Sequence, residues 1–428
     1  MNGFIRRFVA AAAAATVVLG AAQTPAEAQA SKGFVKVGYF TQWGIYGRDF
    51  QLAKVQKSGA AARLTHLNYA FGPVTADGVC ASADPWADWQ TPFSDATSVD
   101  GVGDVAGQPI AGNLNQLAEL KKANPRLRVL ISLGGWSGSA YFSDAALTDA
   151  SRRKLVSSCV DLWLKGNLPD HAAGAAAGIF DGVDLDWEWP GSDGNTGNVV
   201  RPEDKRNFTL LAAEFRAQLD RLGRTNHKHY DLTAFLPAAP AKIGAGFEAD
   251  KIFRYLDFGT LQGYDFHGTW ESRTNQQSAL RVPAGAPDNP DFSVDNALHA
   301  WVAGGAPKNR IALGLPYYSQ GWTGVTGGGT GRFQPATGPA AGTFGAGTED
   351  YKVVKTLPAK GYTVHRDLRS GDAWLFDGTT YWTYDDPAVL LQKTLYIRSR
   401  GLAGAMMWSL DGDDDNATLT KTISLGLF

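Results

Sequence analysis

The sequence has little net charge and, beyond its amino terminus, no basic run. Its 40 Lys and Arg residues nearly balance its 42 Asp and Glu residues. Proteins that bind a nucleic-acid backbone usually carry clustered positive charge, so we expect no nucleic acid as a partner. After residues 1–30 there is also no apolar stretch long enough to cross a bilayer, and we expect no membrane partner. We expect a soluble monomer.

The stretch 1–30 has the three parts of a secretory signal peptide. Arg6 and Arg7 form its charged region, Phe8–Ala22 its apolar region, and Ala26–Ala28 a small-x-small cleavage site. The sequence therefore predicts a secreted, extracellular protein whose mature chain begins close to residue 31.

Cysteine is scarce, with only Cys80 and Cys159 in the chain. Both lie in the predicted exported part, where oxidising conditions favour pairing. An exported chain with an even number of cysteines seldom leaves both free, which favours a disulfide over two unrelated thiols.

Tryptophan, by contrast, is abundant, with 13 residues. Aromatic faces suit the apolar faces of sugar rings, which hints at a carbohydrate ligand. A Trp-rich core is the alternative explanation.

Apolar, β-branched-rich runs recur along the chain and predict eight strands. The runs begin at Phe34, Leu64, Leu127, Gly178, Asp231, Phe258, Arg310 and Gly401. Segments of helical period fill most of the gaps, for example from Leu114, Ser151 and Pro202. This alternation implies a parallel sheet. Eight such units over 31–428 fit a (β/α)8 TIM barrel, although a doubly wound open sheet shows the same alternation.

Two gaps are too long for a simple crossover. The first, about 72–112, is predicted to be an extended loop after the second strand. The second, 320–398, contains a hairpin pattern across Asp377-Gly378 and a helix start at Asp386-Pro387. We interpret 320–398 as a small α+β domain inserted between strands seven and eight.

The stretch "FDGVDLDWEWPG" places Asp184, Asp186 and Glu188 at every second position. Along a strand these side chains point to one face, with neighbours roughly 7 Å apart at the Cα atoms. Three carboxylates in a partly desolvated site do not all ionise readily, so at least one should have a raised pKa. A protonated acid beside ionised carboxylates is the arrangement that glycoside cleavage requires. Glu188 is nearest the carboxyl-terminal mouth, where barrel enzymes carry their active sites.

A metal site is the main alternative for these acids, and Ca²⁺ would suit their oxygen ligands. However, the spacing of a strand does not wrap the chain around an ion. A second acidic cluster from Asp411 departs from a calcium loop at Asn416 and Thr422, and we interpret it as a solvated loop. We expect no metal and no cofactor.

The segment "DGVDLDWEWP" resembles the D-G-x-D-x-D-x-E signature of family 18 glycoside hydrolases, the chitinases. Four further segments resemble this family in order: "YFTQWGIYGR" from Tyr39, "SLGGW" from Ser132, "YDFHGTW" from Tyr264 and "MWSLDGD" from Met407. The resemblance implies that Glu188 is the general acid/base, that Asp186 orients the acetamido group of the substrate, and that Asp184 supports Asp186. It also implies that the N-acetyl oxygen of the sugar is the nucleophile and that the anomeric configuration is retained.

The resemblance implies further contacts to the sugar. Tyr264 and Asp265 would hydrogen-bond the acetamido group and the sugar, and Trp408 would form the floor beneath the sugar being cleaved. The other predicted binding residues are Trp43, Trp136, Trp270, Tyr39 and Gln262. Trp86, Trp89 and Trp322 lie in predicted loops and could extend the cleft.

The sequence departs from the family at two places. Gln262 stands where these chitinases often have Met, and Ser319-Gln320 stands where many have Gly-Arg. The inserted domain resembles the wall of chitinases with a deep groove, which would fit chain-end or processive action.

The resemblance implies a secreted chitinase that hydrolyses β-1,4 N-acetylglucosamine links in chitin and chito-oligosaccharides. Two alternatives remain: an endo-β-N-acetylglucosaminidase acting on glycoprotein glycans, and a non-catalytic chitin-binding lectin. Lectins on this barrel commonly lose the acid at the position of Glu188, so its presence argues against the second.

Overall fold

A computed structural model describes residues 33–287 and 292–428 of the chain. The predicted signal peptide, 1–30, lies outside the described residues.

The described residues form fourteen strands. They are β1 (Val35–Thr41), β2 (His66–Gly72), β3 (Arg128–Gly134), β4 (Gly182–Asp186), β5 (Asp231–Leu236), β6 (Phe258–Leu261), β7 (Ile311–Pro316), β8 (Tyr318–Thr323), β9 (Gly338–Pro339), β10 (Thr348–Asp350), β11 (Thr363–Asp367), β12 (Asp372–Phe376), β13 (Tyr381–Tyr384) and β14 (Gly404–Trp408).

The same residues form eleven α-helices. They are α1 (Leu52–Lys57), α2 (Gly112–Ala123), α3 (Phe142–Ala146), α4 (Asp149–Cys159), α5 (Asp204–Asn226), α6 (Pro240–Gly246), α7 (Ala249–Ile252), α8 (Val294–Ala303), α9 (Tyr351–Val354), α10 (Pro387–Arg400) and α11 (Thr418–Gly426).

Strands β1 to β7 and β14 close into a parallel barrel in which β14 pairs with both β1 and β7. Each of the eight predicted strand segments contains one barrel strand. Because β1 and β14 are paired, the sheet has no open edge. The TIM-barrel prediction is therefore confirmed, and the doubly wound alternative is wrong.

The register around β4 brings polar side chains to the acidic row. Asp184 lies beside Ser132 of β3 and Thr233 of β5. On the other face of β4, Val183 and Leu185 are buried in the main hydrophobic core. The predicted alternation along this strand is confirmed, with acids on the inner face and apolar residues packed outside.

Strands β8 to β13, which follow β7 and precede β14 along the chain, form a second sheet. Its order is β10-β8-β13-β12-β11, with β9 paired to β8. The hairpin predicted across Asp377-Gly378 joins β12 and β13. The predicted helix is α10, and the Asp386 side chain caps it by accepting a hydrogen bond from the Val389 N–H at 3.0 Å. This helix contacts β7, β14 and α11 of the barrel. The exact domain bounds 31–428 and 320–398 stay predictions.

The long loop after β2 is tied to the barrel by a disulfide. Cys80 in this loop is bonded to Cys159 at the end of α4, which confirms the predicted pair. Within residues 33–287 and 292–428, no helix combines the length and the apolar character needed to cross a membrane.

Candidate active site

Asp184 is the innermost acid of the row and is fully buried. The Tyr39 hydroxyl and Ser132 Oγ donate to its Oδ2 at 2.6 and 2.8 Å, and Thr233 Oγ1 donates to its Oδ1 at 2.5 Å. The donors come from β1, β3 and β5. Burial raises the pKa of Asp184, and the hydrogen bonds oppose that rise. Asp184 is thus held rigidly and has little capacity left for a ligand.

Asp186 is buried too, but its hydrogen bonding is incomplete. Its Oδ1 has no partner among the described residues, although the residue lines the main cleft. Burial first, and then the charges of Glu188 and Asp184, raise the pKa of Asp186 well above its usual range. A buried acceptor without a partner is costly, so the carboxyl group of Asp186 is suited to accept an N–H or O–H from a ligand in the cleft that this residue lines.

Glu188 lies just beyond the end of β4 and is partly exposed to the cleft. Its backbone is fixed by two hydrogen bonds: its N–H donates to Ser139 Oγ at 2.9 Å, and its carbonyl accepts from Asn198 Nδ2 at 2.8 Å. Loss of hydration and then the charge of Asp265 raise the pKa of Glu188 to about 8, while Lys242 opposes the rise. Glu188 therefore holds a proton near neutral pH.

Tyr264 and Asp265 follow β6 and line the same cleft. Tyr264 is buried, with its hydroxyl 3.9 Å from Met406 Sδ. Asp265 has a positive φ of 56° and opens to the cleft, and its Oδ1 accepts from Gln320 Nε2 at 3.1 Å. Desolvation by the surrounding protein raises the pKa of Asp265, and hydrogen bonds from Tyr318 and Gln320 oppose this rise.

The cleft has a volume of about 540 Å³, and aromatic rings form a substantial part of its lining. Trp408 stacks on Phe71 at 5.6 Å and meets Tyr39 edge-on at 5.1 Å. Trp43 and Trp136 also line the cleft and are 42% and 49% exposed. Flat apolar walls beside a row of acids match the two kinds of surface on a sugar.

The structure thus brings most of the predicted residues together. The predicted residues that line the cleft are Asp186, Glu188, Tyr264, Asp265, Trp408, Trp43, Trp136, Tyr39 and Gln262.

Several predicted residues lie away from the cleft surface. Asp184 lies beneath it, and Trp270 is exposed on the loop after β6, outside the lining. Trp86 is exposed, whereas Trp89 and Trp322 are buried in the protein and do not extend the cleft.

The model of the glycosyl hydrolases family 18 matches residues 35–413. The chain belongs to this family. Chitinase A1 of Niallia circulans is 35% identical over 451 residues, which cover 96% of this chain and 61% of that protein. Chitinase 63 of Streptomyces plicatus is 36% identical, with 92% and 60% covered. The chain spans about three fifths of the length of these relatives.

A solved structure is also similar over almost its full length. The catalytic domain of the psychrophilic chitinase B from Arthrobacter TAD20 has a TM-score of 0.88 and is 46% identical. The match covers 92% of this chain and 95% of that one.

Several residues of this family 18 site escaped the sequence analysis. Phe71 and Phe235 line the cleft, and Phe235 stacks on Trp189 at 5.4 Å and on Tyr264 at 6.2 Å. The hydrogen-bond donors Ser132, Thr233 and Tyr318 were missed as well. The period-two alternation of β3 and β5 would have placed Ser132 and Thr233 inside the barrel. Their contact with Asp184, however, depends on how these strands align with β4, and this alignment cannot be read from the sequence.

One group of side chains has the spacing of a cation site, and it lies away from the cleft. His229, Asp231 and Asp257 bring one ligand atom each within 4.8 Å of one another. However, His229 Nε2 is 2.8 Å from Asp257 Oδ1, and the Arg128 guanidinium contacts Asp231. His229 and Arg128 already pair with these carboxylates, so we do not interpret the three residues as a metal site.

The acidic cluster after β14 differs from its prediction. Asp411 and Asp413 are buried, and Asp413 accepts hydrogen bonds from the Leu419 and Thr420 N–H groups at 3.0 and 2.9 Å. The expectation of a solvated loop is wrong, because Asp413 holds the start of α11 and Asp411 is paired with Arg48.

Proposed function

We propose that this family 18 protein is a chitinase that hydrolyses β-1,4 N-acetylglucosamine links in chitin and chito-oligosaccharides. The observation that carries the proposal is one geometry: Glu188, with a pKa of about 8, stands at the cleft beside a buried Asp186 whose Oδ1 is unfilled. The first provides a proton donor near neutral pH, and the second provides an acceptor for a polar group of the substrate.

In the proposed reaction Glu188 donates its proton to the glycosidic oxygen as the bond to the leaving sugar breaks. Asp186 accepts the acetamido N–H of the sugar being cleaved, which turns the acetamido oxygen towards the anomeric carbon. Asp184, held by three hydroxyl donors, keeps Asp186 in place and adds negative charge near the developing cation. The acetamido oxygen would displace the leaving sugar with inversion at the anomeric carbon. Water, deprotonated by Glu188, would then attack the same carbon and release the acetamido oxygen with a second inversion, so that the configuration is retained overall, as in other substrate-assisted glycosidases.

The aromatic walls would bind the polymer on either side of the cleaved bond. Trp408 would form the floor, with Trp43 and Trp136 stacking on further sugars. We also propose that the protein is secreted, which is supported by the leader pattern of the sequence and by the disulfide.

The test is Glu188→Gln, which keeps the shape of the side chain but removes the transferable proton. Turnover of a chromogenic chito-oligosaccharide should fall by roughly 10³-fold, within the range of general acid catalysis, while the affinity for the oligosaccharide remains. The matched control is Glu203→Gln, at an exposed position before α5. Near-normal turnover by Glu188→Gln would refute the assignment.

Product analysis separates the alternatives. Release of glycans from a model glycoprotein without cleavage of chitohexaose would favour an endo-β-N-acetylglucosaminidase. Binding of chitin with no turnover by the unmodified protein would favour a lectin. Retention would be seen by NMR as the β-anomer in the first products.

A further inference from the structure

Asp88 is a buried carboxylate outside the catalytic row. It lies in the turn Trp86–Gln90 of the long loop after β2, and its side chain is fully buried. Its Oδ1 accepts from Gln42 Nε2 at 2.5 Å and from the Tyr69 hydroxyl, and its Oδ2 accepts from Ser82 Oγ. All of these donors are neutral.

These bonds connect the long loop to the edge of the cleft. Gln42 directly follows β1 and lines the cleft together with Trp43, whose ring lies 6.0 Å from that of Phe71. Asn113, at the start of α2, donates to the Tyr69 hydroxyl at 3.1 Å and to the Gln42 carbonyl at 3.3 Å. Asp88 is therefore the common acceptor of side chains from three segments: the residue after β1, strand β2 and its own loop.

The backbone of the turn that carries Asp88 packs closely against the start of α2. Gly112 has a φ of 65°, and a Cβ built there would lie 2.6 Å from the Asp88 carbonyl oxygen. No side chain fits at that position. The turn is tied there by two backbone hydrogen bonds: the Ala111 N–H donates to the Trp89 carbonyl at 3.2 Å, and the Gly112 N–H donates to the Thr91 carbonyl at 2.9 Å.

A buried carboxylate without a paired cation lowers the stability of the folded protein, because its charge must be removed from water. An apolar or amide side chain at the same position would avoid this desolvation. Its presence needs an explanation other than stability, and one of the side chains that it holds, Gln42, lines the cleft. We propose that Asp88 is a positioning residue that holds Gln42 and Trp43 at one end of the cleft and so sets the affinity for substrate. The substrate part of this inference rests on the proposed function.

A pH dependence follows from the surroundings of Asp88. The groups that face it are Gln42 after β1, Tyr69 of β2, and Ser82 and Asp84 of its own loop; Asp84 in turn accepts from the Tyr46 hydroxyl at 2.5 Å. Burial, with a smaller contribution from Asp84, raises the pKa of Asp88 to about 6 against the opposing hydrogen bonds. Protonation turns one acceptor oxygen into a donor that faces other donors. Below that pH the hold on Gln42 and Trp43 should loosen.

The test uses Asp88→Asn in the full chain, which replaces one acceptor by a donor at all pH values. At pH 7.5 we expect KM for labelled chitohexaose to rise roughly 3- to 10-fold, as for loss of one ordinary hydrogen bond, with kcat within about twofold. KM of the unmodified protein should rise as the pH falls from 7.5 to 5, and that of the variant should not. The control is Asp77→Asn, an exposed position in the same loop.

Hydrogen exchange gives a second readout that needs no substrate. Amides of the segment 40–48 should exchange faster in Asp88→Asn than in Asp77→Asn. If Asp88→Asn does not fold, Ser82→Ala and Tyr69→Phe each remove one donor and should produce smaller changes in the same direction. Unchanged KM and unchanged exchange in the folded variants would overturn the proposal, as would a fall in kcat at constant KM. An unmodified protein without turnover would count against the proposed function, whereas the exchange rates would still decide the role of Asp88.

Discussion

The pKa of Glu188 sets the alkaline limit of the proposed activity. The site raises this pKa from the ordinary value of 4.5 to about 8. Since one pKa unit corresponds to about 1.4 kcal/mol, the cleft favours the protonated acid by about 5 kcal/mol more than water does. At pH 7 about nine tenths of the molecules would then hold the proton. We expect kcat/KM to be level near neutral pH and to fall about tenfold per pH unit above pH 8.

Lys242 allows this reasoning to be tested by a change outside the catalytic contacts. Its ammonium donates to the Asp193 carbonyl at 2.8 Å, and its charge lowers the pKa of Glu188. Lys242→Met keeps most of the aliphatic stem and removes the charge. A cation favours the ionised acid, so its loss should raise the pKa of Glu188 and move the alkaline limb upward. We expect a shift of about half a pH unit, because Lys242 is partly exposed and screened by solvent.

The assay is kcat/KM for a chromogenic chito-oligosaccharide between pH 5 and pH 10. The matched control is Lys205→Met, since Lys205 donates to the Gly244 carbonyl at 2.7 Å and is not among the charges that act on Glu188. An alkaline limb near pH 5 in the unmodified protein would refute the raised pKa. A downward shift in Lys242→Met would refute its electrostatic cause.

Three further outcomes follow from the structure. Gln320→Arg should place a cation beside Asp265, lower the pKa of Glu188 and move the alkaline limb of the pH profile downward, measured as above. The pKa of Glu188 is higher in the folded protein than in the unfolded chain, so the folded state binds more protons between pH 4.5 and pH 8. The free energy of unfolding, measured by urea titration, should therefore fall more steeply over this range in the unmodified protein than in Glu188→Gln. Replacing Cys80 and Cys159 by Ser removes a disulfide that joins residues 79 positions apart, and should lower the free energy of unfolding by up to about 4 kcal/mol. The variant should have a lower Tm than the unmodified protein, and a reductant should not lower the Tm of the variant further.

The barrel could be predicted because its strands are short, buried and rich in β-branched residues, while its helices keep a regular period. The run that begins at Phe34 and the run that begins at Gly401 each predicted a strand, but their pairing across the closed barrel could not be read from either run. Closure depends on contacts between the two ends of the chain, which local patterns do not carry.

The acidic row was predictable for a similar local reason, whereas its partners were not. Asp184, Asp186 and Glu188 are spaced by the period of one strand, so one segment is sufficient to place them on one face. The donors of Asp184 come from three other strands, and only the register of the barrel aligns them.

Aromatic residues were the least predictable part of the site. Trp43 and Trp322 each follow or lie within a strand and are the same residue type, yet Trp43 is 42% exposed at the cleft and Trp322 is buried in the second sheet. Composition cannot separate a sugar platform from a core residue, because both are favoured by the same large apolar face.

The three acids of the row differ in the number of hydrogen bonds that the protein makes to their carboxyl groups. This difference indicates which of them is structural and which can act on a substrate. Asp184 accepts three hydroxyl donors and is closed to ligands. Asp186 Oδ1 has no partner among the described residues, and the bonds that fix Glu188 are to its backbone, so that its carboxyl group is left to the cleft. Hydrogen bonding therefore decreases towards the mouth as access to substrate increases. A cluster that only stabilised the fold would satisfy all three acids, because an unsatisfied carboxylate in a poorly hydrated site is costly.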